Sequence, residues 1–376
     1  MQRKMVDRRK TICISIFLLF LLPSVLFASF SFAFDSWEGH PRILSGLVPT
    51  GLRAGTVVKG VPLFPEWDTS ILLLGKAGYH ERMLWQDPVT GMVRTTNPVI
   101  YDYLAFDWTL GVQQSIGAEQ KHNLFLGYRG SFEYGLDSMI VGDTLSTGVV
   151  QSLSSYLAAG NIYYGPLTMF GTSLGVSYRY DALDDLLSTL DGYRLSADLW
   201  FGPKLLNSDA SYTLVEAELL GAKTLASVRE NDDRNLYSIV VVDRLSASAA
   251  FGTTISLPVQ QTSSLGSKVR GFGTFEYLAD RSIANQLDLR FNGPESFTKG
   301  IFPHFICFYD IGYGFGNAYN TEVAASDFLS SVGVRVSFSL LEYFDIGYQM
   351  SYLLSGTSRT QPTNVMVGEL VGRITF

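Results

Sequence analysis

The sequence predicts an all-β fold, a transmembrane antiparallel β-barrel of about sixteen strands. Three observations carry that prediction. Apolar and polar or small residues alternate with period two along most of the 376 residues. Only 17% of residues are charged, while 13% are aromatic and 36 are glycine, against roughly 25% charged in soluble proteins. One segment, near the N-terminus, is long and apolar enough to cross a bilayer as a helix, so a polytopic helical protein is excluded. The aromatic content and low charge exclude intrinsic disorder.

The N-terminus predicts export. Arg3, Lys4, Arg8, Arg9 and Lys10 form a basic head, Thr11 to Ala28 an apolar run, and Ser31-Phe32-Ala33 a small-x-small site. These are the three parts of a secretory signal peptide over residues 1–33, read by the general secretion pathway. Its removal leaves 23 Lys and Arg of 28 against 34 Asp and Glu of 35, a formal −11. Such a surface repels phosphate, so nucleic acid is excluded as a partner. Removal also takes Cys13 and leaves Cys307 alone, so no intramolecular disulfide can form.

The strands follow in order. Leu104, Phe106, Trp108, Leu110 and Val112 share one face, with Tyr103, Ala105, Asp107, Thr109 and Gly111 on the other. The same alternation recurs over 124–134, 174–180, 193–201, 332–340 and 344–352, and it is strand periodicity. Runs of about ten residues match a tilted membrane crossing. Aromatic clusters at Tyr101 and Tyr103, Tyr163 and Tyr164, and Tyr178 and Tyr180 are expected as interfacial girdles. Closure is a physical requirement, because an open sheet edge in hydrocarbon leaves backbone groups unpaired. Gly165-Pro166 and Leu341-Glu342-Tyr343 read as tight turns, and the segments Asp181 to Asp191 and Arg229 to Asn235 as longer polar loops. Residues 34–68, with Pro41, Pro49, Pro62 and Pro65, read as an extended lead-in, and 69–376 as the barrel. At the end, Gly368, Leu370, Gly372, Ile374 and Phe376 alternate up to a terminal aromatic. That pattern suits capture of an unpaired last strand by outer-membrane assembly machinery through edge pairing.

One stretch is more specific. Val269-Arg270-Gly271-Phe272 precedes Gln286-Leu287-Asp288-Leu289-Arg290-Phe291, then Phe308-Tyr309-Asp310-Ile311-Gly312, then three final strands. By parity Asp310 shares a strand face with Phe308 and Gly312, on the less lipophilic side. A guanidinium on a loop tip can make two parallel hydrogen bonds to such a carboxylate. This order resembles the bacterial surface antigen superfamily, which comprises BamA-type and TamA-type assembly barrels and two-partner-secretion transporters. The likeness covers roughly residues 259–376 of the sequence. It implies an inward-folded loop carrying the V-R-G-F motif, with Arg270 and Asp310 forming a loop-to-wall lock and Asp288 standing where the family more often has Glu. Members that insert or secrete proteins carry periplasmic POTRA modules. Between Ala33 and Thr69 the sequence has about 35 residues with four prolines, too few for such a module, so a barrel-only relative is expected.

Other motifs carry less. Gly171-Thr172-Ser173-Leu174-Gly175 matches G-x-S-x-G but enters an alternating strand rather than the strand–turn–helix of a nucleophile elbow. His40, His80, His122 and His304 lack metal-ligand spacing, and no cofactor motif opens a helix. The expectation is a non-enzymatic protein of a diderm outer membrane, without catalytic, metal or cofactor residues, surrounded by outer-membrane lipids. The resemblance implies handling of membrane-protein, polypeptide or lipid cargo. A passive pore for small solutes and a surface-exposed adhesin or antigen are the alternatives.

Overall fold

The computed structural model describes residues 29–42, 46–49, 51–64, 69–84, 99–117, 119–141, 149–151, 168–186, 189–206, 211–229, 235–254, 259, 262–266, 268–273, 277–294, 300–316, 325–340, 344–355 and 365–375. Its strands are β1 (Ser29–Arg42), β2 (Gly46–Pro49), β3 (Gly51–Phe64), β4 (Thr69–Leu84), β5 (Val99–Ile116), β6 (His122–Val141), β7 (Val149–Gln151) and β8 (Thr168–Leu186). They continue with β9 (Thr189–Gly202), β10 (Ser211–Arg229), β11 (Asn235–Thr254), β12 (Arg281–Asn292), β13 (Ile301–Gly316), β14 (Ala325–Leu340), β15 (Phe344–Ser355) and β16 (Met366–Thr375). All belong to one antiparallel sheet in which consecutive long strands are neighbours. β2 pairs with β1, and β7 with β6, as short ribbons beside the main path.

The first and last strands meet. β1 pairs with β16 from Ala33–Thr375 to Gly39–Leu370, with a register shift between Phe34 and Trp37, while its other edge pairs with β3. This departs from an extended lead-in over 34–68, since strands begin upstream of Thr69 and the expected cleavage point after Ala33 lies inside β1. The prolines permit it. Pro49 and Pro41 lie in the β1–β2 ribbon, and Pro62 lies next to a register shift between β3 and β4. Proline is tolerated at edges and bulges because no ladder bond is lost there. Residues 1–28, which hold most of the expected signal peptide, fall outside the described residues.

One loop reading is corrected. Residues 181–186 and 189–191 are strand, paired with each other up to Leu186 opposite Thr189. Polar content there reflects strands that carry ion pairs, such as Arg194 Nη2 to Asp181 Oδ2 at 2.9 Å. Of the second, Arg229 and Asn235 are paired at the ends of β10 and β11, and residues 230–234 between them lie outside the described residues. Gly165-Pro166, Leu341-Glu342-Tyr343 and the terminal Phe376 lie outside the described residues.

Burial has the inverse of a soluble pattern. Leu104, Phe106, Leu110, Leu126, Phe132, Leu199, Phe201, Phe251, Leu287, Tyr309, Val332, Phe338, Tyr348 and Tyr352 are all exposed. Their alternate neighbours Ala105, Glu133, Trp200, Ser248, Asp288, Asp310, Ser331 and Ser351 are buried. Among the described side chains, exposed apolar groups therefore line one face of the sheet from β4 to β16, far beyond the patches soluble monomers show. Lipid is the solvent that suits it. Among the described residues no helix is long and apolar enough to cross a membrane. Tyr178 and Tyr180 face outward, grouped with His122 and Tyr193 at one rim. Tyr103 does not belong to a girdle, because it faces inward and is 2% exposed. Tyr163 and Tyr164 are not among the described residues.

Candidate functional site: a guanidinium clamp between loop and wall

The chain between β11 and β12 turns back along the inner face of the sheet. Its own hydrogen bonds give it shape. Ser263 Oγ donates to Ala279 O at 2.7 Å, Ser264 Oγ to Tyr277 O at 3.1 Å, and Leu265 N–H to Tyr277 O at 3.0 Å. Val269 N–H then closes a helical turn on Leu265 O at 3.0 Å. These bonds satisfy backbone groups that burial would otherwise leave unpaired. Leu265, Val269, Phe272 and Tyr277 pack with the inward-facing Leu329, Leu353 and Val367. Phe272 meets Tyr277 edge to face, with ring centroids 5.5 Å apart.

Arg270 stands at the tip of this structure. Its Nε donates to Asp310 Oδ2 at 2.7 Å and its Nη2 to Asp310 Oδ1 at 2.6 Å. The backbone N–H of Arg270 adds a third bond to Oδ2 at 2.9 Å. Nη2 also reaches Asp288 Oδ1 at 2.6 Å. Asp288 is shared, because its Oδ2 accepts from Arg290 Nη2 at 2.9 Å. The guanidinium carbon lies 3.9 Å from the Phe308 ring centroid, so the planar fork is stacked as well as hydrogen-bonded. Asp310 is 0% exposed; without Arg270 it would be a buried anion short of its counter-charge.

Glycine makes the approach possible in two places. Gly271 has φ 93°, a left-handed conformation, and a Cβ there would come within 2.7 Å of Ser351 Cβ. At Gly312 a Cβ would meet Leu265 Cδ2 at 2.7 Å and Val269 Cγ2 at 2.8 Å. The loop thus rests directly on the backbone of β13. Val269 is fully buried and Phe272 4% exposed.

A second anchor lies close by in the same loop. Lys268 Nζ donates to Ser248 Oγ on β11 and, at 2.8 Å, to Ser282 Oγ on β12. Gln286 Nε2 holds the Lys268 carbonyl at 2.9 Å. Burial pulls the Lys268 ammonium down to about 8, opposed in part by the charge of Glu216. Sequence reading misses Lys268, Gln286, Arg290 and the stacking role of Phe308. Arg290 is accessible to it, two positions after Asp288 on the same strand face; Lys268 has no signal, since its partners are serines distant in sequence.

The structure brings Val269, Arg270, Gly271, Phe272, Asp288, Asp310 and Gly312 into one cluster on β12, β13 and the loop. Gly368, Leu370, Gly372 and Ile374 lie apart from it, on β16. Ser173 of the G-x-S-x-G match is buried in β8 and accepts from Arg129 Nε at 3.2 Å, with no turn to expose a nucleophile. Among the described residues no group of three His, Cys, Asp or Glu is placed to hold a metal.

No family model and no curated protein matches the chain. Solved structures do. The chain is similar to BamA from Haemophilus ducreyi lacking POTRA domains 1–3, at 12% identity and a TM-score of 0.47, over 93% of this chain and 70% of that one. It is similar to CdiB from Acinetobacter baumannii at 13% identity and a TM-score of 0.47, covering 92% of this chain and 60% of that chain. For CdiB from Escherichia coli the values are 11%, 0.48, 92% and 63%. The chain therefore spans less than two thirds of either CdiB chain.

Proposed function

We propose that this chain is a non-enzymatic outer-membrane β-barrel, closed by the β1–β16 pairing, whose lumen is plugged by the loop between β11 and β12. It handles membrane-protein, polypeptide or lipid cargo at that plugged lumen or at the β1–β16 seam. The observation that carries the reading is the clamp. A loop tip is fastened to two wall strands by a guanidinium that bonds both carboxylates and stacks on a ring. A simple diffusion pore has no need of such a fastening, because the loop fills the space through which solute would pass. The exposed apolar face supports the membrane location, and the motif order of residues 269–312 supports the kinship with assembly and secretion barrels. Among the described residues the ring then has fourteen strands, with β2 and β7 as side ribbons. The short stretch of register on β1–β16, with its shift between Phe34 and Trp37, is the place for a lateral opening.

The test is electrical and cellular. Purified protein in a planar bilayer is expected to show brief, irregular openings. A large, steady conductance from the intact chain would establish a passive pore instead. Depletion in cells should change the profile of outer-membrane proteins or lipids; an unchanged profile with lost solute uptake would likewise overturn the cargo reading.

A further inference from the structure

The outward face of the sheet is not uniformly greasy. The described outward positions of β5, β6 and β13 to β16 carry no Asp, Glu, Lys or Arg. On β9 to β12 the face is different. Asp191 lies on β9, Lys223 on β10, Asp243 on β11 and Asn285 on β12, all on outward-facing positions. Lys223 Nζ binds Asp191 Oδ1 at 2.7 Å. Asn285 Nδ2 binds Asp243 Oδ1 at 2.6 Å. Gly221 stands opposite Asp243, and Val241 opposite Lys223, so Lys223 and Asp243 are diagonal neighbours. Together the four side chains form a polar track across four strands.

The track does not serve the lumen. Arg244, beside Asp243 in the chain, points the other way and lies 3.8 Å from Glu218 on the inner face. Asp191 lies beyond the rim residue Tyr193, toward the N-terminal end of β9, and Asp243 shares a register row with Tyr193 through Gly221. On its own strand Asp243 lies between the outward Val241 and Leu245, with Tyr237 and Phe251 farther off on either side. Across β12 its register partner is the exposed Leu287. Among the described residues Asn285 is its one hydrogen-bond partner, and no cation pairs with it. A charge on a barrel's lipid face costs energy that grows with depth, and ionisable groups in that position mark function. Beside the track runs a row of exposed leucines, Leu195, Leu219 and Leu245, and past it a row of exposed alanines, Ala197, Ala217 and Ala247.

We propose that the β9–β12 lipid face is an interface between two copies of this chain in the membrane. Charge selects that occupant. Both copies in one membrane have the same orientation, so a two-fold axis along the bilayer normal places each copy's track against the other's. The surface is then self-complementary: Lys223 of one copy faces Asp243 of the other, and the reverse, giving each Asp243 the cation it lacks within its own chain. Lys223 is 74% exposed and its long stem can span the offset along the strand. The inference rests on the membrane-barrel reading above.

The experiment uses the full chain with Cys307→Ser, reconstituted in liposomes, and a single cysteine introduced as Ala247→Cys. Mild oxidation is expected to yield a disulfide-linked dimer, while Val334→Cys on β14 yields none. Asp243→Lys or Lys223→Asp alone should lower the linked fraction about tenfold or more, and the two together should restore it. Monomers at every protein density, or a double exchange that fails to restore dimers, would overturn the proposal. So would a cross-link from the introduced cysteine only to a different protein in native membranes. Heat-modifiable migration and resistance to carbonate extraction are measured on the same samples. Their loss would point to failure of the barrel reading, whereas a well-integrated monomer defeats only the self-association.

Discussion

At the scale of single residues, the clamp sets the largest effects. Arg270→Ala leaves Asp310 and Asp288 buried without their shared counter-charge, a class of change that costs about 3–5 kcal/mol. The expected outcome is a folded band on unheated gels that converts to the unfolded position at a lower temperature, or a lower refolding yield in liposomes. Arg270→Lys should not recover wild-type behaviour, because an ammonium cannot reproduce the two parallel bonds and the ring stacking. Gly271→Ala forces a side chain into a left-handed backbone against Ser351, and should lower the same transition by an amount comparable to a lost buried contact, about 1–3 kcal/mol. An unshifted transition for Arg270→Ala would remove the clamp from the account of stability.

At the scale of elements, the loop between β11 and β12 is an inserted structure with its own hydrogen bonds and two fastenings, Arg270 to β12 and β13, and Lys268 to β11 and β12. The second fastening carries a pH signature. The folded chain releases the Lys268 proton near 8, and the unfolded chain near 10.5. Between those values the unfolded state binds more protons, so stability rises with pH across that window and the gain is lost as pH falls to 8. Thermal unfolding in detergent should show that rise for wild type, and Lys268→Met should flatten it. The sheet beneath was legible at this scale: alternation over 104–112, 193–201 and 332–340 reads directly as β5, β9 and β14. The polar stretch 181–191 reads as a loop because ion pairs between neighbouring strands, inward at Asp181 and outward at Asp191, look in one dimension like solvated charge. Strands over 29–64 are hidden because their prolines sit at edges and register shifts, which only the pairing reveals.

At the scale of the whole molecule, a sheet whose outward face is largely apolar makes the environment part of the fold. Without detergent or lipid the purified chain should aggregate, since the exposed leucines, phenylalanines and tyrosines of that face have no second layer to cover them. A monodisperse folded species in plain buffer, measured by light scattering, would contradict this. Removal of the loop residues between β11 and β12 should convert irregular openings into a larger, steadier conductance. Were the conductance unchanged, the loop would not be what closes the lumen.

The amino-acid order alone determined the class of fold, the outward and inward faces of most strands, and the residue types that could form an arginine–carboxylate lock. Period-two alternation is a local property and needs no partner strand to be visible. Tertiary structure decided what depends on separation in sequence. It set which carboxylates share the guanidinium, that Phe308 lies beneath it, that two serines from different strands receive Lys268, and that an outward Asp243 is left with an amide for company. Those facts follow from register, and register is a relation between strands that no single strand records.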